Sequence, residues 1–274
     1  MALPDAPSIR DQTRSLTAQV LSRQGLIALG CLVVLCGLAW WWLWRMGMPS
    51  PAKAMPDMDG MAGMDMPAAP NVWSSTYLGA TFIMWAIMMV AMMLPSAAPM
   101  ILLHDTFSRR NRLGPAATTV FGLSYLALWA LFAAVAALAQ AALVSAGVVD
   151  DAALAFGNRW IAAALLTVAA LYQLSPLKRL CLSHCQSPVG FLTRHWQPGI
   201  DGALAMGLRH GAYCVGCCWP LMLLLFVGGV MNLAWIALLT AVVLAEKYAP
   251  PTLRADRLLA AILAIAAVMV VVPL

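Results

Sequence analysis

The fold is decided by residues 203–230, which read ALAMGLRHGAYCVGCCWPLMLLLFVGGV. This stretch is almost entirely apolar. A helix needs about 20 residues to cross a bilayer, and the stretch is longer than that. It also carries four potential metal donors, namely His210, Cys214, Cys217 and Cys218. In a helix the first three stand at i, i+4 and i+7 and form one stripe, with Met206 one turn earlier. The stretch therefore predicts a membrane helix, broken at Pro220, with a row of donor side chains.

The composition of the whole chain supports a membrane protein. Of its 274 residues, 63% are hydrophobic and only 10% are charged, whereas a soluble domain has about 25% charged residues. The net charge of +5 is not accompanied by a basic-aromatic patch or a phosphate-binding glycine loop, so we expect no nucleic-acid partner. Seven cysteines cannot all pair with one another, which argues against a disulfide framework.

Apolar stretches recur along the chain and predict an all-α fold, a polytopic transmembrane helical bundle in contact with membrane lipid. We expect about seven spans, at residues 25–44, 77–103, 118–146, 160–174, 203–230, 233–245 and 258–272. The predicted organisation is a cytoplasmic arm (1–24), an N-terminal anchor span (25–44), a methionine-rich periplasmic loop (45–75) and a six-span metal-binding membrane domain (76–274).

The basic residues predict the orientation of these spans. With a cytoplasmic N-terminus, twelve Lys and Arg side chains fall in inner loops and three in outer loops, as the positive-inside rule requires. We therefore predict a multi-pass protein of a bacterial-type inner membrane. A cleaved signal peptide is the alternative for the first span, because Ala52-Lys53-Ala54 resembles a cleavage site.

A second donor group precedes the first one along the chain. Cys181, His184 and Cys185 stand at i, i+3 and i+4, so they share one helical face. Thiolate and imidazole are the ligands that zinc and copper(I) accept, which makes a metal site of both groups the preferred interpretation. Buried cysteine also serves as a small apolar side chain, and for the isolated Cys31 and Cys36 we prefer that reading.

The predicted periplasmic loop is rich in methionine, with Met55, Met58, Met61 and Met64 at intervals of three among aspartates, glycines and prolines. A flexible acidic loop has no core for methionine to fill, whereas thioethers bind copper(I) without deprotonation. The loop is similar to methionine-rich segments of periplasmic copper-handling proteins. A low-complexity spacer is the alternative.

The second span carries a methionine stripe of its own. Met84, Met88 and Met92 follow one another at i, i+4 and i+8, and Pro95 removes the hydrogen bond to the carbonyl of Ala91. A kink beside a thioether stripe would form a path for copper, although such stripes more often serve packing.

Two charged neighbours end the sixth span. We expect Lys247 to extend its ammonium to the membrane interface. For Glu246 we expect an interfacial carboxylate, with a buried partnership to Arg209 or a metal-ligand role as alternatives.

Three motifs resemble those of a family described as predicted metal-binding integral membrane proteins, a domain of unknown function. They are Met84-Trp85-x2-Met88-Met89-x2-Met92-Met93-Leu94-Pro95, Cys181-x2-His184-Cys185-x2-Pro188 and Gly207-x2-His210-Gly211-x2-Cys214-Val215-Gly216-Cys217-Cys218-Trp219. The resemblance covers roughly residues 76–270. It implies metal binding and supplies no established reaction.

Together these features favour an integral membrane protein that handles copper(I), by uptake, delivery or metalloenzyme assembly. We predict no catalytic residues, and we expect a soluble metallochaperone or an apo-metalloenzyme as partner. One alternative is a structural or assembly protein clipped by zinc. Another is a membrane thiol–disulfide oxidoreductase built on Cys214-x2-Cys217.

Overall fold

The computed structural model describes residues 23–47, 71–150, 154–250 and 253–272. The regular secondary structure of these residues is helical, apart from an isolated antiparallel bridge between Val149 and Phe156. The helices are α1 (Arg23–Gly47), α2 (Ser75–Arg110), α3 (Pro115–Ser145), α4 (Arg159–Gln173), α5 (Pro176–Gln186), α6 (Pro188–His195), α7 (Gly199–Leu223), α8 (Leu225–Gly228), α9 (Leu233–Tyr248) and α10 (Ala255–Val271). The predicted cytoplasmic arm up to residue 22 and the methionines Met55, Met58, Met61 and Met64 lie outside the described residues.

Several helices begin where the sequence offers a side chain that accepts backbone N–H groups. Ser74 accepts from Tyr77 at the start of α2, and Ser175 accepts from Lys178 at the start of α5. Asn158 and Asn232 do the same at the starts of α4 and α9. Capping of this kind satisfies N–H groups that have no partner within the helix.

Four helical stretches among the described residues are long and apolar enough to cross a membrane: Gly25–Gly47, Ser75–Arg110, Pro115–Ser145 and Gly199–Gly228. Helices α4 and α5 meet at a bend of 66° and count as a fifth if they form one broken span. The predicted sixth and seventh spans correspond to α9 and α10, which have only 16 and 17 residues, below the about 20 residues of a full crossing. The all-helical prediction is confirmed, while the count of seven and the cytoplasmic N-terminus stay predictions.

The centre of the structure consists of α2, α3 and α7. Helix α3 packs along both of the others, α1 lies against α2, α5 against α7, and α10 against α4. Glycine permits the close approach of α3 and α7, because a Cβ atom at Gly207 would overlap the side chain of Ser124 and the carbonyl of Phe121. A Cβ at Gly216 would lie 2.9 Å from the sulfur of Cys181, so α5 also approaches α7 closely.

Helix α2 continues through two prolines, and each released carbonyl finds a donor on another helix. The carbonyl of Ala91, which Pro95 cannot serve, accepts a hydrogen bond of 3.1 Å from the indole of Trp40 on α1. The carbonyl of Pro95, released in turn by Pro99, accepts one of 3.2 Å from the hydroxyl of Tyr248 on α9. Neighbouring helices thus supply the hydrogen bonds that proline removes in an apolar setting.

Helix α7 shows the same arrangement at its own proline. Pro220 releases the carbonyl of Gly216, and the hydroxyl of Tyr172 on α4 donates to that carbonyl. The predicted break at Pro220 is thereby replaced by a tether to α4, and helix α7 continues to Leu223. This tether lies among the donor residues of α7, between Cys214 and Cys217.

Candidate metal centre

Four thiols from two helices meet inside the structure. Cys214, Cys217 and Cys218 of α7 are at most 2% exposed. The thiol of Cys185 on α5 interacts with those of Cys214 and Cys217. All four are free cysteines, and they are called the thiol centre below. Cys185 of the first donor group therefore adjoins cysteines of the second group, which begins 25 residues later at His210.

Two thiols of the thiol centre donate hydrogen bonds to the backbone of their own helix. Cys217 and Cys218 donate to the carbonyl of Cys214 over 3.1 and 3.0 Å. The sulfur of Cys218 also lies 3.9 Å from the thioether sulfur of Met93 on α2. A buried thiol in an apolar helix takes the nearest carbonyl as acceptor, so both sulfurs are turned toward their own helix.

A lysine faces the thiol centre from α9. The Nζ atom of Lys247 donates to the sulfur of Cys214 over 3.0 Å and to the hydroxyl of Ser96 over 2.8 Å. Burial lowers the pKa of Lys247, but the neighbouring Cys214 and Cys217 raise it, and the balance holds it well above its usual value. The ammonium therefore stays charged and stabilises negative charge on sulfur.

The position of Lys247 corrects the expectation from sequence. The side chain is 7% exposed and does not extend to an interface. Tyr125 contributes a second polar contact to the same sulfur, with its hydroxyl 3.2 Å from Cys214. Lys247, Ser96 and Tyr125 are the residues of the site that sequence reasoning missed, since none of them belongs to a donor motif.

Glu246 forms a buried ion pair beside the thiol centre. The ammonium of Lys178 on α5 donates to both carboxylate oxygens over 2.8 Å, so the partner is Lys178 and not Arg209. Burial raises the pKa of Glu246, and the charge of Lys178 acts in the opposite direction. Because the pair is neutral as a whole, Lys247 is left as the cation that faces the thiols.

The other predicted donors lie around the thiol centre. Cys181 packs against the backbone of α7 at Gly216. The ring of His184 stacks on Tyr213 at a centroid distance of 4.1 Å. His210 is buried with its ring 5.5 Å from that of Tyr125, and its Nδ1 atom has no hydrogen-bond partner in the described residues.

The methionine stripe of α2 is buried throughout. Met84, Met88 and Met92 are at most 6% exposed, and Met89 and Met93 on the adjacent face are fully buried as well. The thioether that contacts the thiol centre belongs to Met93 and not to the predicted stripe. Whether Met84, Met88 and Met92 bind an ion stays a prediction.

Within the described ranges, no group of three or more His, Cys, Asp or Glu side chains has its donor atoms arranged around a common point that would hold a metal ion. This agrees with the observed hydrogen bonds, which turn Cys217 and Cys218 toward the carbonyl of Cys214. Rotation of a thiol about its χ1 bond is the movement that would redirect it toward an ion.

Comparison with known proteins gives a family match. The sequence model of the PpoB2 family, described as a copper chaperone, matches residues 82–270. Neither the curated proteins nor the solved structures contain a match to the chain.

Proposed function

Because the chain belongs to the PpoB2 family of copper chaperones, whose sequence model covers residues 82–270, we propose that it is an integral membrane protein that binds copper(I) at the thiol centre. From there it delivers the ion to a protein acceptor, either a soluble metallochaperone or an apo-metalloenzyme. The meeting of Cys185 with the cysteines of α7 is the observation that carries this proposal.

The chemistry of the donors supports copper(I). Thiolate and thioether are soft ligands, and soft ligands favour copper(I) over hard cations such as magnesium or calcium. The thiol centre supplies the thiols, and Met93 adds a thioether 3.9 Å from Cys218. Zinc also binds thiolate, so the alternative is a structural zinc site. Metal analysis distinguishes it from a copper(I) site.

The charge around the thiol centre supports a monovalent ion. A copper(I) ion held by two thiolates carries one negative charge, and buried charge is costly without a partner. Lys247 provides that partner, at 3.0 Å from Cys214 and almost completely buried. In this proposal the same ammonium compensates a single thiolate before copper binds and the anionic complex afterwards.

We further propose that the methionine-rich segment with Met55, Met58, Met61 and Met64 captures copper outside the membrane. Thiolate binds copper(I) more strongly than thioether, so an ion would move from this segment toward the thiol centre down a gradient of affinity. The buried methionines Met84, Met88 and Met92 of α2 would provide intermediate contacts, because Met93 on the same helix adjoins Cys218.

Copper binding by cysteine variants tests the proposal. Full-length protein purified in detergent is loaded with copper(I) under reducing conditions, and bound copper and zinc are counted by elemental analysis. We expect wild type and Cys31→Ser to retain copper, since Cys31 is exposed on α1. We expect Cys214→Ser and Cys217→Ser to lose it. Undiminished copper in these two variants would exclude the thiol centre, and bound zinc that copper does not displace would favour the structural alternative.

A second candidate function is supported by the contact between Cys185 and Cys214. Two adjacent thiols on separate helices can lose two hydrogens to an acceptor disulfide, forming a disulfide while the acceptor becomes two thiols. A membrane thiol–disulfide oxidoreductase would work in this way. Trapping of a mixed disulfide on Cys214 in a Cys185→Ser variant would support it, and the absence of any redox-dependent mass change in wild type would exclude it.

A further inference from the structure

Two histidines form a pair outside the thiol centre. His184 near the end of α5 and His195 at the end of α6 have ring centroids 6.1 Å apart. Both side chains are half-buried, so they can be reached from outside the helical core. A metal–imidazole bond is about 2 Å long, so this separation fits one ion held between the two rings when their Nε2 atoms face it.

Hydrogen bonds fix the tautomer of each ring. The Nδ1 atom of His184 lies 2.8 Å from the carbonyl of Leu180, and that of His195 lies 3.1 Å from the carbonyl of Phe191. A carbonyl oxygen only accepts, so each Nδ1 carries a hydrogen, and in the neutral imidazole the lone pair is then on Nε2. Within the described residues, no protein atom forms a hydrogen bond with either Nε2 atom. Metal-binding histidines are oriented in the same manner.

The pair adjoins the thiol centre on two helices. His184 immediately precedes Cys185, and its ring stacks on Tyr213 at 4.1 Å with an interplanar angle of 10°. Tyr213 in turn immediately precedes Cys214. His184 and Cys185 therefore belong to one turn of α5, and Tyr213 and Cys214 to one turn of α7, so the imidazole pair and the thiol centre occupy neighbouring faces of the same turns.

We propose that His184 and His195 form a second copper(I) site, the transfer site through which the ion is exchanged between the thiol centre and the acceptor or donor protein. The inference rests on the proposed function, since it assumes copper(I) as cargo. Two neutral imidazoles leave the positive charge of copper(I) uncompensated, which requires contact with solvent. Thiolates with a lysine counter-charge hold the ion more strongly, so the imidazole pair binds it transiently and the thiol centre retains it.

The first experiment isolates the imidazole pair. In the full-length variant with Cys185, Cys214, Cys217 and Cys218 all changed to Ser, copper(I) is added and its ligands are measured by X-ray absorption spectroscopy. We expect copper with nitrogen neighbours. The addition of His184→Gln should remove about one copper equivalent and this nitrogen signal. Sulfur-only coordination that is insensitive to His184→Gln would overturn the inference.

The second experiment keeps the thiols and measures rates, so it decides the question even if the thiol-free variant does not fold. The double variant His184→Gln/His195→Gln and the control Thr193→Ala, an exposed residue of α6, are loaded from a soluble copper(I) chelate in a stopped-flow instrument. With one equivalent of copper(I) supplied, we expect loading and release to slow by about tenfold or more in the double variant, with unchanged copper content at equilibrium because the thiol centre retains the ion. Unchanged rates would overturn the inference, as would a copper content that falls as far as in Cys214→Ser, because the histidines would then belong to the thiol centre itself.

The proposed function and the transfer site can fail separately. If wild-type protein binds no copper, the proposed function fails and both experiments lose their basis. If wild type binds copper and Cys214→Ser abolishes binding, but the histidine variants change neither ligands nor rates, only the transfer site is wrong.

Discussion

Helices α1 and α7 both carry cysteines in apolar stretches, and their surroundings differ completely. On α1, Cys31 is exposed, and Cys36 makes only a long contact of 3.8 Å to the carbonyl of Ala91. On α7, the single residue Cys214 contacts the ammonium of Lys247, the phenol of Tyr125 and further thiols. The difference between these cysteines therefore lies in their polar neighbours on other helices. It does not lie in the residue type or in the apolar stretch that carries it.

The ion pair beside α7 offers the strongest test of this comparison. Lys178→Met leaves the carboxylate of Glu246 buried and unpaired, and loss of one partner of a buried pair costs about 3–5 kcal/mol in the free energy of unfolding. Thermal unfolding in detergent measures the loss. The adjacent exposed residue provides the control, since Arg179→Met should change stability by less than about 0.5 kcal/mol. Equal melting temperatures for the two variants would contradict the structural role of the pair.

Lys247 tests whether charge distinguishes the cysteines of α7. In Lys247→Met the anionic copper complex loses its counter-charge, and we expect copper(I) affinity to fall by about 100-fold, which corresponds to about 3 kcal/mol. Lys247→Arg keeps the charge and should retain most of the affinity. Competition with a copper(I) chelator of known affinity gives the measurement. Equal affinities of the Met and Arg variants would mean that the ammonium does not act through its charge.

The glycines of the two helices sharpen the comparison of packing. A Cβ at Gly207 of α7 would overlap α3, whereas a Cβ at Gly37 of α1 meets nothing within 4 Å. Gly207→Ala should destabilise the protein by about 1–3 kcal/mol through overpacking. Gly37→Ala should leave stability unchanged or raise it by up to about 1 kcal/mol, because alanine favours helix. Equal changes of melting temperature in the two variants would show that this distinction is wrong.

The smallest expected effect concerns the tether of α1. Trp40→Phe removes the hydrogen bond to the carbonyl that Pro95 releases, and a single bond of this kind contributes about 0.5–1.5 kcal/mol. Thermal unfolding should show a decrease of that size. In a Pro95→Ala background the carbonyl regains its helical partner, so the cost of Trp40→Phe should become smaller; an undiminished cost there would assign the effect to packing of the indole.

The sequence predicted the helical class, because hydrophobic length and helical spacing are local properties. It did not predict which of the donors lie in the thiol centre and which turn away from it. At i, i+3 and i+4, His184 should share a face with Cys181 and Cys185, but its Nδ1 atom turns back to the carbonyl of Leu180 and its ring stacks on Tyr213. The side-chain rotamer decides whether such a histidine turns to a backbone carbonyl or toward the other donors. The spacing of residues along the sequence does not specify the rotamer.

The role of Lys247 could not be predicted for a different reason. The adjacent pair Glu246-Lys247 points in two directions on a helix, and the partners Lys178 and Cys214 are 68 and 33 residues away. Only the tertiary arrangement brings them together. The lengths of α9 and α10 also required the structure, since apolar composition alone does not fix where a helix ends.

Three consecutive side chains at the end of α9 go to three different places. Glu246 binds Lys178 on α5, Lys247 binds Cys214 on α7, and Tyr248 donates to the carbonyl of Pro95 on α2. A single helical turn of α9 therefore contacts three other helices, and the sulfur of Cys214 and the carbonyl of Pro95 on α2 are bound by neighbouring residues of that turn.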